Sequence, residues 1–378
     1  MIRFMTAGES HGKGLLAIID GVPAGLKIAE SDINRDLARR QKGYGRGTRM
    51  SLETDKVEIV SGVRWGETIG SPVGLMIHNK DYENNKELMS LLESDKDIRK
   101  FITKPRPGHA DLTGLLKFGR QDIRDILERA SARETAIRVA AGAVCRKLLA
   151  VLGIQVYSFV EKIGGVAISN AGEVDVEKSY NKIEQSQLRC PDSSAEKKMM
   201  AVIDKAKQNG DSVGGLFRVI IKNAPAGLGS YTQWDLRINA RLANSICSIP
   251  AVKGVLFGDG MGYTDKYGSE AMDEIFYKAG TGYYRKTNHS GGIEGGMTNG
   301  EDVIVRGIMK PIPSLSKPLK SVDIKTKKQV NAEIVRADTC AVPACAVVAE
   351  AMSALTIANA ITEKFGSDTV QNLLKNIK

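Results

Sequence analysis

Between Thr135 and Gly153 the chain reads TAIRVAAGAVCRKLLAVLG, alanine-rich, with apolar residues at helical spacing and no charge between Arg138 and the Arg146–Lys147 pair. Ser131 and Glu134 stand just ahead in the S-x-x-E spacing of a capping box, and Gly153 stands where a glycine ends a helix. The pattern predicts a helix from about Ala132 to Leu152. With so little polar surface, that helix fits the buried centre of a fold. The 378 residues available are enough to bury a substantial core around it.

The flanking pattern mixes strands and helices. Residues 14–20 (GLLAIID), 57–60 and 72–78 (PVGLMIH) read as strands, and Ser31 to Gln41 reads as a helix closed near Gly43. The second half supplies a helix near 195–208, a strand at 214–222 and a helix at 233–247. Strands at 252–257 and 302–309 follow, then an apolar helix from about Pro343 to Phe365 stopped by Gly366. Residues 79–105 form a polar, lysine-rich connection with room for a short helix, a flexible excursion near a site. The order lacks the strand, crossover helix, strand rhythm of a doubly wound sheet, and no glycine cluster follows a strand as G-x-G-x-x-G. The expected class is α+β. No internal repeat of roughly 20 to 50 residues and no low-complexity tract breaks the chain, which reads as one folded unit.

Several classes are excluded early. No uninterrupted apolar run approaches the ~20 residues of a membrane-spanning helix. MIRFMTAGESHGKG interposes glycines and Glu9 before any long apolar stretch, unlike a secretory signal, so a cytoplasmic location without a membrane partner is expected. Cys145, Cys190, Cys247, Cys340 and Cys345 are odd in number and lack a C-x-x-C pair, which fits reduced, mostly buried thiols.

Charge narrows the partner. Lys plus Arg is 54 against 44 for Asp plus Glu, giving +10, which favours something anionic. Lysines are spread widely, whereas arginines bunch in glycine-bearing segments: Arg35, Arg39, Arg40, Arg46 and Arg49, then Arg106, then Arg120 to Arg138. The planar guanidinium binds oxyanions bidentately and glycine admits close backbone approach, so this bunching points to phosphate or carboxylate recognition. A solvated basic face is the plain alternative.

Of four histidines, His11, His109 and His289 sit in glycine-rich loops (GESHGKG, RPGHAD, NHSGG), and His78 ends an apolar strand, where it reads as structural. Imidazole is the side chain suited to proton exchange near neutral pH, so the loop histidines are candidates for proton transfer, an idle surface histidine being the equal alternative for any one alone. GESHGKG fails as a P-loop, because Gly14 stands where Ser or Thr would bind magnesium and the spacing from Gly8 to Gly12-Lys13 is short. The dispersed histidines offer no zinc set, and no metal is expected. RASARET (129–135) is more specific: a helix start at Ser131 flanked by Arg129 and Arg133 suits an anion, or is simply a helix start with solvated arginines.

An ordered set of blocks then carries a family resemblance: TAGESHG (6–12), DGVPAGL (20–26), DLARRQKGYGRGTRM (36–50), RPGHAD (106–111), RASARETAIRVAAGAV (129–144), GLGS (227–230), AVKGVLFGDG (251–260), GGIEGGMTNG (291–300) and KPIPS (310–314). The chain closely resembles chorismate synthases from its first residues to the C-terminal helix. The resemblance implies a shikimate-pathway lyase of aromatic amino-acid biosynthesis that converts 5-enolpyruvylshikimate 3-phosphate to chorismate and phosphate, using reduced FMN with no net redox change. It implies a single domain over residues 1–378, a β-α-β sandwich with helices between sheets, assembled as a homotetramer. A substrate with two carboxylates and a phosphate, beside the phosphate of FMN, also gives the arginine bunching a physical cause.

Roles follow where residues match. The resemblance makes His11 the proton donor to the departing phosphate beside Ser10, with Arg40, Arg46, Arg49, Arg106, Arg133 and Arg336 binding the substrate's anionic groups. His109 would manage the protonation of the reduced flavin, and Asp338 would help the flavin act as base. Flavin contacts would come from Arg129, Ala130, Ser131, Pro250, Ala251, Gly295, Lys310, Pro311, Ile312, Pro313, Ser314 and Arg336. Arg40 and Arg46 match positions that bind NADP in members that reduce their own flavin, with NADPH as reductant. Where many members have R-H-D-P-C, this chain has Arg336, Ala337, Asp338, Thr339 and Cys340, so no role for a middle histidine transfers. Pro250 replaces a common Asn and removes an amide and an N–H from that corner.

Two other classes remain distinguishable. A nucleic-acid-binding module would use the charge, but aromatic residues are only 5% and are not interleaved with basic ones, so stacking platforms are poorly supplied and no nucleic acid is expected. A flavoprotein oxidoreductase would share the FMN site and consume NAD(P)H steadily, whereas a lyase turns over many substrates per reduced flavin.

Overall fold

The computed structural model describes residues 1–47, 54–335, 338–366 and 368–377, so Arg49, Arg336 and Ala337 lie outside the described residues. The first half builds β1 (Arg3–Gly8), β2 (Gly14–Asp20), α1 (Glu30–Gln41), β3 (Val57–Ser61) and β4 (Val73–His78), then α2 (Asp111–Phe118), α3 (Arg124–Ala130) and α4 (Thr135–Val151). The second half supplies β5 (Gln155–Ile163), β6 (Val166–Ala167), α5 (Ser193–Gln208), β7 (Gly215–Lys222), α6 (Ile238–Cys247), β8 (Val252–Phe257), β9 (Val303–Met309) and α7 (Val342–Phe365). These strands form a four-stranded sheet in the order β1-β2-β4-β3 and a five-stranded sheet in the order β8-β9-β7-β5-β6. Every neighbouring pair in both is antiparallel.

Alternation decides which face of the first sheet is covered. In β2, Leu15, Ala17 and Ile19 are buried while Leu16 and Ile18 are exposed, the period-two signature of a half-buried strand. Helix α4 packs on β2 and β4, α7 packs on β5 and β7, and the two helices pack on each other. Gly142 makes that contact possible, since a Cβ there would lie 2.4 Å from the Cβ of Ala351. The main core is a continuous apolar cluster drawn from both sheets and both helices, and a smaller one of Leu115, Ile123 and Leu127 holds α2 and α3.

Helix α7 differs from the expectation about apolar runs. By length and composition it could cross a membrane, but 89% of its most apolar stretch is buried inside the protein. It also carries Glu350, 1% exposed, whose carboxylate takes Arg39 of α1 at 2.7 and 2.9 Å, Arg189 at 3.0 Å and the Ser158 hydroxyl of β5 at 2.7 Å. Arg39 and Arg146 share Asp36 at 3.1 and 2.6 Å, and Arg39 and Arg189 share Glu184 at 2.7 Å. Three guanidiniums thus meet three carboxylates where α1, α4, α7 and β5 come together. Burial pushes Glu350 up, but Arg39, Arg146 and Arg189 outweigh it and bring the carboxyl down to about 2.

The helix start at Ser131 is also unlike the expected capping box. Ser131 Oγ accepts the N–H of Arg133 at 3.3 Å, a 3₁₀ turn covers Ala132–Glu134, and Glu134 is taken by Arg138 at 2.9 Å. The competing i,i+4 ion pair removes the carboxylate that would have closed the box. Residues 79–105 hold three short 3₁₀ turns, Lys80–Asn85, Glu93–Asp95 and Ile98–Lys100, in place of an α-helix. Strand β1 had no sequence signal because none of its side chains except half-covered ones faces the core. Helix α6 starts at Ile238, later than expected, behind a 3₁₀ turn at Trp234–Leu236.

Candidate active site

The GESHGKG loop joins β1 to β2 and is pinned from two sides. Glu128 of α3 accepts the backbone N–H of His11 at 2.9 Å, and the same carboxylate oxygen lies 2.8 Å from His11 Nδ1. The Glu128 carbonyl accepts the N–H of Ser10 at 2.9 Å. From the other side Asn79, just after β4, donates its amide to the carbonyls of Glu9 and Gly12 at 2.9 and 2.8 Å. Asn79 Oδ1 in turn accepts from Arg133 Nε at 3.0 Å, which couples the histidine loop to the first arginine of the cluster.

Arg133 continues the chain of contacts to Asp55 through Nη1. Arg40 meets the other Asp55 oxygen at 3.4 Å and places further N–H groups on the Thr135 hydroxyl and the Ala132 carbonyl, each at 3.0 Å. Arg46 pairs with Asp338 at 2.8 Å, and Asp338 also accepts the N–H of Gly47 at 2.7 Å. Among the described residues Arg46 Nε is buried without a hydrogen-bond partner. Burial pulls Arg40 down to about 10, with Asp55 opposing and Arg46 and Arg133 adding to the fall. It stays charged at neutral pH, in a cluster where three guanidiniums face two carboxylates. Such an excess of fixed positive charge in a low-dielectric wall suits an anionic ligand.

A second cluster gathers RPGHAD, KPIPS and the 250–251 corner. Arg106 holds Asp111 through Nε and Nη2 at 2.9 and 3.0 Å and donates Nη1 to Ser314 Oγ at 2.7 Å. Burial pushes the Asp111 carboxyl up, but hydrogen bonds from His109 and Arg106 hold it well below the carboxylate range. His109 Nδ1 lies 2.5 Å from Asp111 and 2.9 Å from Arg106 Nη2. A guanidinium can only donate and an ionised carboxylate only accept, so the shorter contact assigns the proton to Nδ1 and leaves Nε2 for exchange. Lys310 rests its ammonium on the Gly108 carbonyl at 2.5 Å and its backbone N–H on the Ala251 carbonyl at 2.9 Å. Burial and the neighbouring Lys253 press Lys310 below its ordinary range, another cation in want of an anion.

Other expected contacts fall elsewhere. Arg129 spends its guanidinium on the carbonyls of Gly8 and Thr6 at 3.1 and 3.0 Å and on the Thr6 hydroxyl at 2.7 Å, bracing β1. Gly295 lies in the Ile293–Thr298 hairpin at the start of α6, where Gly296 accepts from Ile238 at 2.8 Å, while Pro250 follows the end of α6. A helix of 10 residues separates them, about 15 Å of rise. His289 is held by Asp259 at 2.8 Å, away from both clusters, and His78 pairs with Glu58 at 3.0 Å on the surface. Among the described residues no group of His, Cys, Asp and Glu is placed to hold a metal ion.

Beside the GESHGKG loop opens a cavity of about 1280 Å³, bordered by Glu9, Lys13, Arg124, Arg129 and Ala110, with Tyr82, Leu91 and Phe118 as apolar walls. Asp55, Asn79, Asp111 and Glu128 were missed as site residues. Asp111 had a signal, sitting two residues beyond a glycine-loop histidine, whereas Asp55 and Asn79 had none in local sequence.

Fold and candidate site together define a mixed α and β protein in which arginines and loop histidines gather with positive charge in excess. A chorismate synthase family profile matches residues 2–362. The chain is 52% identical over 377 residues to a chorismate synthase of Endomicrobium trichonymphae, covering 100% of this chain and 97% of that protein. It is 50% identical over 381 residues to one of Bacillus pumilus (strain SAFR-032), covering 100% and 98%. A crystal structure of a chorismate synthase superposes with a TM-score of 0.80 at 42% identity, covering 99% of this chain and 96% of that one. The chain belongs to the chorismate synthase family, the lyases that convert 5-enolpyruvylshikimate 3-phosphate to chorismate and phosphate in the shikimate pathway.

Proposed function

We propose that this elimination runs between the two clusters, with His11 as the acid for the departing phosphate and His109 as the second proton-handling group. The observation that carries the reading is the continuous set of contacts from the His11 loop through Asn79, Arg133 and Asp55 to Arg40, which fixes a proton donor beside an excess of guanidinium charge. Phosphate leaves as charge builds on its oxygens, and preformed cations meet that charge without reorganising. Arg46 offers its unpartnered Nε, Arg133 joins Ser10 in binding carboxylate or phosphate groups, Arg106, with its donors on Asp111 and Ser314, adds its field, and the resemblance adds Arg49 and Arg336. Arg40, 4% exposed with its donors on protein acceptors, contributes mainly through its field, so direct NADP contact falls to Arg46.

Reduced FMN fits the second cluster. The ammonium of Lys310, pressed down by burial and Lys253, is matched to a phosphate, and the adjoining Ala251, Pro311, Ile312, Pro313 and Ser314 supply backbone and hydroxyl groups. The resemblance adds Ala130 and Ser131, Arg129 and Pro250 offer only backbone, and Gly295 sits at the far end of α6 in the same subunit. When bound, the reduced flavin supplies transient electron density as phosphate leaves. His109, its proton fixed on Nδ1 by Asp111, exchanges protons at Nε2, and Asp338 holds a carboxylate near the reacting pair. The fold is read as a single domain over 1–378, helices layered between two sheets, assembled as a cytoplasmic homotetramer.

The test is anaerobic: protein, chemically reduced FMN and 5-enolpyruvylshikimate 3-phosphate, with chorismate absorbance and phosphate release followed together. Equal amounts of both products, in excess over flavin and absent with oxidised FMN, are expected. Steady NAD(P)H consumption without chorismate would assign the site to an oxidoreductase instead.

A further inference from the structure

The contact between His11 and Glu128 is more elaborate than loop anchoring requires. Glu128 is buried, with a side chain only 2% exposed, and it aims both carboxylate oxygens at His11 Nδ1, at 2.8 and 3.0 Å. One of those oxygens also accepts the His11 backbone N–H at 2.9 Å, so ring and backbone are fixed by one group. Arg124, one turn earlier on α3, stands 3.5 Å from Glu128, so a cation lies beside the carboxylate that meets the ring. His11 keeps 23% of its side chain exposed, and its Nε2, turned away from Glu128, lies 3.7 Å from the half-buried Asp81.

We propose that Glu128 is the positioning residue of His11, holding the proton on Nδ1 so that Nε2 is the nitrogen that delivers a proton to the leaving phosphate. This rests on the reading of His11 as the acid. An ionised carboxylate accepts and cannot donate, so Nδ1 carries hydrogen in both the charged and the neutral ring. When imidazolium gives its Nε2 proton to a phosphate oxygen, the neutral ring left behind is the Nδ1–H tautomer, the one Glu128 already binds. The ring therefore loses its proton without turning or exchanging its remaining hydrogen bond, the arrangement in which an orienting group supports an acid–base histidine. Free imidazole has no such constraint, and a ring released from Glu128 can rotate and spread its proton over both nitrogens.

A double-mutant cycle tests this, comparing Glu128→Ala, His11→Ala and the double variant, with Glu128→Gln as the conservative control. A group acting only through His11 should lose its effect once His11 is gone. Glu128→Ala in the wild-type background is expected to lower kcat ~30-fold or more while KM moves less than ~3-fold. Glu128→Gln, which keeps an acceptor oxygen without the charge, is expected to fall between wild type and Glu128→Ala. In the His11→Ala background neither change should lower kcat further by more than ~2-fold. Equal losses in both backgrounds would overturn the positioning role while leaving His11 as the acid. Near-normal turnover in His11→Ala alone would instead remove the underlying reading. If Glu128→Ala does not fold, the same comparison with Glu128→Gln decides.

Discussion

At the scale of single residues, the site consists of basic groups that the sequence displays and acidic or amide partners that it conceals. Arginine and histidine bunched with glycine are visible because residue type and spacing alone suggest oxyanion binding and proton transfer. Arg133 and Asp55, however, are 78 positions apart, and Asn79 and Arg133 are 54 apart, so no local pattern could join them. Those partners determine what each substitution does. Arg133→Ala leaves Asp55 with Arg40 as its charged partner and Asn79 Oδ1 without its donor, and it removes a charge-assisted contact worth roughly 1.5–3 kcal/mol. We expect the KM for substrate to rise about 10-fold or more, and unchanged affinity for substrate and flavin alike would take Arg133 out of the clamp. His109→Ala should fold, because its ring is partly exposed and Arg106 retains Asp111, yet lower turnover by ~100-fold. Near-wild-type turnover in that variant would leave His109 without its assigned proton.

Among elements, most of the strands and helices expected from the sequence lie within a residue or two of those observed, as β2 does because it alternates and α7 because its apolar run is bounded by Pro343 and Gly366, whereas β5, α2 and α3 were not anticipated. The helix start at Ser131 was misread for a physical reason, since Glu134 prefers the charge of Arg138 to the N–H groups of its own cap. Equally illegible was the ion-pair knot joining α1, α4, α7 and β5, since Glu350 stands alone in an apolar helix with its partners far away in sequence. That knot makes the core sensitive to acid in a predictable direction. Glu350 titrates at about 2 when folded, below the ~4.3 of an unfolded chain, so its contribution to stability is present above about pH 4 and lost as pH falls towards 2. Urea midpoints should therefore drop steeply between pH 5 and 2 in the wild type. Glu350→Gln should unfold more easily at pH 7, because Arg39, Arg146 and Arg189 lose a shared counter-charge, and should show a shallower acid slope. Parallel slopes in the two proteins would mean that other carboxylates govern acid unfolding.

For the whole molecule, what the sequence withheld is which surfaces are left uncovered. The face of the four-stranded sheet turned away from α4 carries Met5 beside Ile18 and Leu16 beside Met76 as cross-strand neighbours. Met5 is 78% exposed and Ile18 58%, a contiguous apolar surface of the kind that marks an interface. Leu16 and Met76 also line the cavity beside the His11 loop, so a second subunit on this face would complete the cavity's rim. The proposed homotetramer and the proposed site are linked through these side chains. Ile18→Asp places a charge in the middle of the patch without touching the buried side of β2, where Leu15, Ala17 and Ile19 lie. Sedimentation velocity should give about four times the 40.9 kDa chain mass for the wild type and a smaller species for Ile18→Asp. Activity per chain should fall with the mass, because the cavity loses its outer wall, while the far-ultraviolet circular dichroism stays that of the wild type. A variant that keeps the full mass would place the subunit contact on another surface, and one that dissociates yet turns over normally would show that each chain encloses its own site.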